Sequence, residues 1–327
     1  MESVPEVVVL QGGDKPPGME PIERIAKVRY VREHELAGAL AGADVLFVYD
    51  FWSEALPGAW PREGGPPWVH IASAGVDRLL FPALVEGETV VTNSRGVFDQ
   101  PIAEYVLGLV LCFAKDLHTT LRLQAEGRWR HRETERLAGS SALVVGTGPI
   151  GRAIARALTA AGLRVSGIGR TARTGDPDLG EVLPDDRLHE ALAAADYAVL
   201  AAPLTDRTRG MIDAAALAAM RSTARLINVG RGQLVVEDAL VTALRAGTIA
   251  GAALDVFVDE PLPEPSPLWD LPNVIVSPHM SGDVVGWRDE LVGLFADNLG
   301  RRVRGEPLRN VVDKRLGYVS SGASAPS

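Results

Sequence analysis

The stretch Ala142-Leu143-Val144-Val145-Gly146-Thr147-Gly148-Pro149-Ile150-Gly151-Arg152 decides the fold. Four apolar residues run directly into a glycine-rich turn, and the turn opens a segment at 150–161 whose pattern is helical. Strand, turn and helix in that order are what a dinucleotide pyrophosphate needs. Gly146 permits the tight turn, Gly148 lets the backbone approach the phosphates, Gly151 allows helix and strand to pack closely, and the helix N-terminus supplies positive dipole. Pro149 and Ile150 lie in the same turn and join the three glycines as cofactor-binding candidates.

Versions of this turn that bind NAD place an acid about 20 positions on, at the end of the second strand, to accept the ribose hydroxyls. Here that strand, at 164–168, ends in Gly169-Arg170-Thr171-Ala172-Arg173, with no acid. A small residue followed by Arg and Thr suits a dianionic 2′-phosphate, which takes forked guanidinium contacts. Gly169, Arg170 and Thr171 are therefore read as an NADP site with Arg173 as a further cation, NAD being the alternative cofactor.

Working outward, apolar runs at 7–10, 45–49, 68–72 and 89–92 alternate with helical or turn-like stretches, which implies a parallel sheet covered on both faces. A long buried helix is expected at 100–117, with Pro101 at its start and Ile102, Val106, Leu109, Val110 and Phe113 at helical spacing. A polar stretch at 122–135 separates it from a second series, with strands at 142–146, 163–168, 197–201, 225–229, 249–256 and 274–277. Trp287, Leu291, Leu294, Phe295 and Leu299 mark a last helix, and 320–327 reads as a disordered small-residue tail. The 327 residues suit two domains. A net charge of −9, from 33 Lys and Arg against 42 Asp and Glu, disfavours nucleic acid and anionic lipid as partners. No run reaches the roughly 20 apolar residues of a membrane span. One cysteine, Cys112, read as a core residue, and no leader pattern point to the cytoplasm.

Beyond these patterns, a set of motifs in order resembles the D-isomer-specific 2-hydroxyacid dehydrogenase family over almost the whole chain. They are Ser73-Ala74-Gly75-Val76-Asp77, Thr92-Asn93-Ser94-Arg95-Gly96-Val97, Ala103-Glu104-Tyr105, the glycine turn, Pro203-Leu204-Thr205, Asn228-Val229-Gly230-Arg231-Gly232, Asp255-Val256-Phe257-Val258-Asp259-Glu260-Pro261-Leu262-Pro263 and Ser277-Pro278-His279. The resemblance implies two doubly wound α/β domains with parallel sheets, a Rossmann cofactor domain at 102–286 inserted into a flavodoxin-like substrate domain at 1–101 and 287–327, and a homodimer. It also implies catalytic Arg231, Glu260 and His279, substrate-binding amides at Ser73, Ala74 and Gly75, and cofactor contacts from Pro203, Thr205, Val229 and Asp255, the last to the nicotinamide carboxamide.

The chemistry agrees with those residue types. Arg231 can hold a 2-oxoacid carboxylate in its planar fork and polarise the ketone. His279 can protonate the alkoxide left by hydride arrival, and Glu260 beside it would orient the ring and favour its protonated form. The expected activity is an NADP-linked 2-oxoacid reductase of the glyoxylate/hydroxypyruvate type. The alternatives are an NAD-linked dehydrogenase of 3-phosphoglycerate or a bulkier hydroxyacid, and a nucleotide-sensing protein without turnover. Tyr105 and Asp283 depart from the commoner family pattern, and Phe51, Trp52 and Trp287 are candidate pocket walls. No metal-ligand spacing is found, and His34, His70, His118, His131 and His189 are read as structural or surface residues.

Overall fold

The computed structural model describes residues 4–319, so the tail expected at 320–327 lies outside the described residues. The chain forms two compact units, one from Met1–Val97 with Val285–Ser327 and the other from Phe98–Val284.

In the first unit, β1 (Glu6–Leu10), β2 (Lys27–Val31), β3 (Val45–Val48), β4 (Trp68–Ile71) and β5 (Val90–Asn93) make an all-parallel sheet in the order β2-β1-β3-β4-β5. This is the flavodoxin-like doubly wound order. The central strands are buried on both faces, which is why they read as unbroken apolar runs. Strand β2 has no such run: Lys27-Val28-Arg29-Tyr30-Val31 buries only its last residue and lies at the sheet edge, so apolar runs alone do not reveal it.

The second unit adds β6 (Ser141–Val145), β7 (Arg164–Gly169), β8 (Arg173–Asp176), β9 (Gly180–Pro184), β10 (Tyr197–Leu200), β11 (Arg225–Asn228), β12 (Gly251–Leu254) and β13 (Val274–Val276). Their order is β13-β12-β11-β10-β6-β7-β9-β8, and only β8 runs antiparallel. Strand order reverses between β6 and β10, the switch point at which Rossmann sheets bind dinucleotides. The β8–β9 hairpin is not anticipated from sequence patterning.

The long helix spans Asp99–Ala114 and ends at Lys115, because Asp116 adopts a left-handed φ of 48°. A separate helix, Leu117–Ala125, follows, so the polar stretch expected at 122–135 begins within a helix. Pro101 sits in the first turn, two residues after the helix start, where its missing N–H is tolerated. Among the described residues no helix is long and apolar enough to cross a membrane.

Buried at the centre of the first unit, His70 packs against Phe47 and Phe295, with centroids 5.6 and 5.4 Å away. The Trp68 indole donates to Thr92 Oγ1 at 2.8 Å, and Ser94 Oγ, which gives its own proton to Ile71 O at 3.1 Å, lies 3.4 Å from His70 Nε2, so Nε2 donates there and Nδ1 accepts from the Thr92 hydroxyl at 2.7 Å. The ring is thus neutral with its proton on Nε2. Burial pushes its pKa down from 6.5 to about 3. Because unfolded His70 takes a proton below pH 6.5 and folded His70 does not, stability is fully present above that pH and falls as pH drops. Urea unfolding at pH 7 and pH 5 should show a loss of about 2 kcal/mol in wild type that is missing from His70→Gln. Equal losses in the two proteins would exclude His70 as the source.

Candidate active site

The glycine turn is shaped by contacts that exclude side chains. Gly146 has φ 111°, and a Cβ there would lie 2.6 Å from Ala202 N. At Gly151 a Cβ would lie 1.9 Å from the Gly146 carbonyl oxygen, so the helix Pro149–Ala160 can meet β6 only through a residue without a side chain. Gly148, the N-cap, behaves differently: nothing lies within 4 Å of its Cβ position, which leaves open space at the helix N-terminus. An open cradle beside unpaired helical N–H groups fits a pyrophosphate. Pro149 occupies the first helical position and Ile150 the second.

Gly169 is the last residue of β7, and a Cβ there would meet Thr147 Cγ2 at 3.0 Å. Arg170 and Thr171 follow it and are exposed. Arg173 lies on β8, its Nε donating to Asp176 Oδ2 at 3.3 Å, so its guanidinium is engaged by a neighbouring carboxylate. Pro203 is exposed in the loop after β10, and its carbonyl accepts from Thr208 Oγ1 at 2.7 Å. Thr205 N donates to the same hydroxyl at 2.9 Å, and Val229, buried after β11, donates its N–H to Leu200 O at 3.1 Å.

Three further elements converge past the ends of β11, β12 and β13. His279 Nδ1 lies 2.9 Å from Glu260 Oε2, while Glu260 Oε1 accepts from Phe257 N at 2.9 Å. An ionised carboxylate only accepts, so Nδ1 carries the proton of that bond and Nε2 is the other reactive position of the ring. Arg231 stands on a turn held by Asn228, whose Nδ2 donates to Arg231 O at 2.9 Å and whose Oδ1 accepts from Gly230 N at 3.1 Å. The next residue, Gly232, has no room for a methyl, since its Cβ would lie 1.9 Å from the Phe257 carbonyl carbon. The Arg231 turn is therefore pressed against the segment that carries Glu260.

His279 has φ 51°, a left-handed conformation that a residue with a Cβ adopts only when its surroundings hold it there. Asp255, fully buried at the end of β12, supplies that hold. Its carboxylate accepts from Ser277 Oγ at 2.7 Å, Met280 N at 3.0 Å and Ser281 N at 2.9 Å, which brackets His279 on both sides. Sequence reasoning missed this use of Asp255 and the part of Gly232, because each contact joins segments that are distant in sequence. It also missed Asn228, although its bonds to Gly230 and Arg231 are local and Asn two residues before Gly-Arg-Gly is their sign in the sequence.

Ser73, Ala74 and Gly75 follow β4 in the first unit. Their carbonyls are engaged by Ser94 N at 2.9 Å, Asn93 Nδ2 at 2.6 Å and Ser73 Oγ at 2.5 Å. In the same unit Phe51 meets Trp287 edge to face, with ring centroids 6.3 Å apart, and lies tilted against Trp52 at 5.5 Å.

Comparison with known proteins agrees with this architecture. Residues 107–281 match the model of the D-isomer specific 2-hydroxyacid dehydrogenase NAD binding domain. The glyoxylate/hydroxypyruvate reductase A of Arabidopsis thaliana is 32% identical over 277 residues, 84% of this chain and 83% of the relative. Among solved structures, a D-isomer specific 2-hydroxyacid dehydrogenase of Xanthobacter autotrophicus in complex with NADPH and MES is 31% identical with a TM-score of 0.81, covering 97% of this chain and 100% of that one. The NADPH-dependent glyoxylate/hydroxypyruvate reductase of Sinorhizobium meliloti, solved with NADP and sulfate, is 27% identical with a TM-score of 0.80 and the same coverage.

Asp255→Asn tests the support of the His279 loop. The amide directs an N–H₂ at one of three donors, so two donors face each other and the loop loses a charge-assisted bond. Stability should fall by about 1–3 kcal/mol, with slower turnover. Thermal unfolding and kcat equal to wild type would exclude Asp255 from holding the loop.

Proposed function

The chain belongs to the D-isomer specific 2-hydroxyacid dehydrogenase family, and from that premise we propose that it reduces a small 2-oxoacid of the glyoxylate or hydroxypyruvate kind with NADPH. It is an NAD(P)-dependent oxidoreductase; the substrate, the preference for NADPH and the residue roles are our reading. The observation that carries it is the His279–Glu260 pair at 2.9 Å, packed with the Arg231 turn beside the ends of a Rossmann-order sheet. A sensor without turnover has no use for a proton donor buttressed in this way.

The bound dinucleotide supplies the hydride. Its pyrophosphate is assigned to the open N-terminus at Gly148, Pro149 and Ile150, and its 2′-phosphate to Arg170 and Thr171, with Gly169 presenting no carboxylate to repel it. Pro203, Thr205 and Val229 are assigned to the cofactor loops, and Asp255 to the carboxamide as well as to the His279 loop. Arg231 clamps the substrate carboxylate and polarises the neighbouring ketone. His279 Nε2 donates the proton that the ketone oxygen needs as it becomes an alkoxide, and Glu260, bonded through Nδ1, aims the ring and stabilises the cation before transfer. In the first unit the turn Ser73-Ala74-Gly75, with its carbonyls already engaged, turns its amide side to an anion. The favoured substrate class follows the names of the relatives above.

Steady-state oxidation of NADPH and NADH across a panel of 2-oxoacids tests the reading. NADPH should give the higher kcat/KM, by roughly tenfold or more for one good guanidinium contact. His279→Gln should lower kcat by roughly 10²–10⁴ while NADPH still quenches the protein fluorescence as in wild type. Wild-type turnover in that variant would remove His279 from the chemistry, and preference for NADH would overturn the NADP assignment.

We also infer a homodimer. In the segment after the long helix, Leu117, Leu121 and Trp129 are exposed by 45%, 64% and 101%, apolar surface that a second copy would cover. Light scattering should give twice the 34.8 kDa of one chain at micromolar concentration. A mass of one chain would count against it.

A further inference from the structure

Between Gly169, which ends β7, and Arg173, which starts β8, lie only Arg170, Thr171 and Ala172. The sheet order is β7-β9-β8, so these three residues cross the end of β9. Gly169 pairs with Pro184, and Arg173 pairs with Val182 two residues earlier on β9. Two interstrand spacings and two residues of rise separate the anchors by about 12 Å. Four Cα steps reach at most about 13–14 Å. The bridge is short and bends at Arg170 and Thr171, with little slack to spare, so the position of its far end limits where those two residues can lie.

The ladder alone holds that far end poorly, since β8 is an edge strand of four residues with a register shift between Thr174 and Asp176. Asp176 supplies the anchor. Its side chain, only 3% exposed, accepts from Arg152 Nη1 at 2.9 Å and Nη2 at 2.8 Å, a forked pair. It also accepts from Arg173 Nε at 3.3 Å and from the N–H groups of Asp178 and Leu179 at 3.2 Å each. Asp178 extends the clamp, taking Arg152 Nη1 at 3.0 Å and Arg156 Nη1 at 3.3 Å. Arg152 directly follows Gly151 in the helix whose N-terminus is assigned to the pyrophosphate.

We propose that Asp176 is a positioning residue for cofactor choice: through Arg152 it ties the Arg170–Thr171 bridge to the pyrophosphate helix and so sets the site of the 2′-phosphate. The inference rests on the assignment of that bridge to NADPH made above. The guanidinium bonds to Asp176 also hold its carboxyl well below the usual carboxylate range, so the clamp is charged at any pH at which the enzyme is assayed. Two physical effects then oppose each other. Removing the Asp176 charge makes the neighbourhood more positive, which by field alone strengthens binding of a phosphate. Releasing the anchored end of this short bridge misplaces Arg170 and Thr171, which weakens it. In a side chain this buried and this fully bonded, geometry should dominate.

The test is Asp176→Asn in the full chain, with NADPH and NADH titrated separately by fluorescence. The Kd for NADPH should rise roughly tenfold, the effect of about one lost charge-assisted bond. NADH affinity should stay within about twofold, and kcat at saturating NADPH should be unchanged. Arg152→Lys keeps the charge but loses the fork, and should raise the NADPH Kd by a smaller factor in the same direction. It carries the test alone if Asp176→Asn does not fold. Unchanged or tighter NADPH binding overturns the proposal, as does parallel weakening of both cofactors, which marks a structural role only. A wild-type preference for NADH would instead overturn the NADP assignment on which the inference stands.

Discussion

Backbone pressed against backbone at places where a methyl cannot enter is the constraint on which the site depends. Gly151 sits where a Cβ would lie 1.9 Å from the Gly146 carbonyl oxygen, and Gly232 where one would lie 1.9 Å from the Phe257 carbonyl carbon. The first contact sets the N-terminus of the helix Pro149–Ala160 close to the end of β6, next to the point where strand order reverses. The second brings the Arg231 turn against the segment leading to Glu260. Neither contact is a large source of stability in itself. Each removes the freedom that would otherwise leave a charged group off target by the ångström or so that matters to hydride and proton transfer.

A second constraint follows from the first. Once Arg231 and Glu260 are placed, His279 has to reach Glu260 from a loop after β13, and it does so with φ 51°. Strain of this kind costs on the order of 1–3 kcal/mol and persists only where neighbours over-determine it. Asp255 does so by taking donors from residues 277, 280 and 281, on both sides of His279. Two buried or half-buried carboxylates thus divide the work: Asp255 holds the backbone of the loop, and Glu260 holds the ring.

What can be read in the sequence is what is local. The β6 strand, the glycine turn and the following helix are contiguous, and their spacing carries its own physical reason. The central strands of both sheets are legible because burial on both faces demands unbroken apolar runs. By contrast, Arg173-Thr174-Gly175-Asp176 has neither apolar run nor alternation, and it is a strand because Arg152, on a helix more than 20 residues earlier, grips its last residue. Strand β2 hides for a related reason, its outward residues being those of any exposed segment. The break at Asp116 depends on one left-handed residue inside an apolar pattern that continues through it. Arg231, Glu260 and His279 stand out through the motifs around them, while the bonds from Asp255 that hold the His279 loop follow only from the fold.

A net charge of −9 sits uneasily with ligands that are themselves anions, a dinucleotide and a 2-oxoacid. The resolution is local. Charges on the far surface act through water and salt over a screening length of about 8–10 Å, so most of the acidic surface is not felt at the site. Near the proposed 2′-phosphate bridge, Asp185, next to the Pro184 that pairs with Gly169, is bonded to Arg207; Asp176 and Asp178 are each bonded to Arg152, and Arg156 and Arg173 add two further guanidiniums. At Asp176 and Asp178 three cations therefore meet two carboxylates, and the cluster carries no excess negative charge to repel a phosphate. Glu260 accepts from Phe257 N and lies in hydrogen-bond contact with His279, and Asp255 accepts from three donors. The acids around the site are thus ones that the fold has already engaged, so their number says little about the field at the site itself.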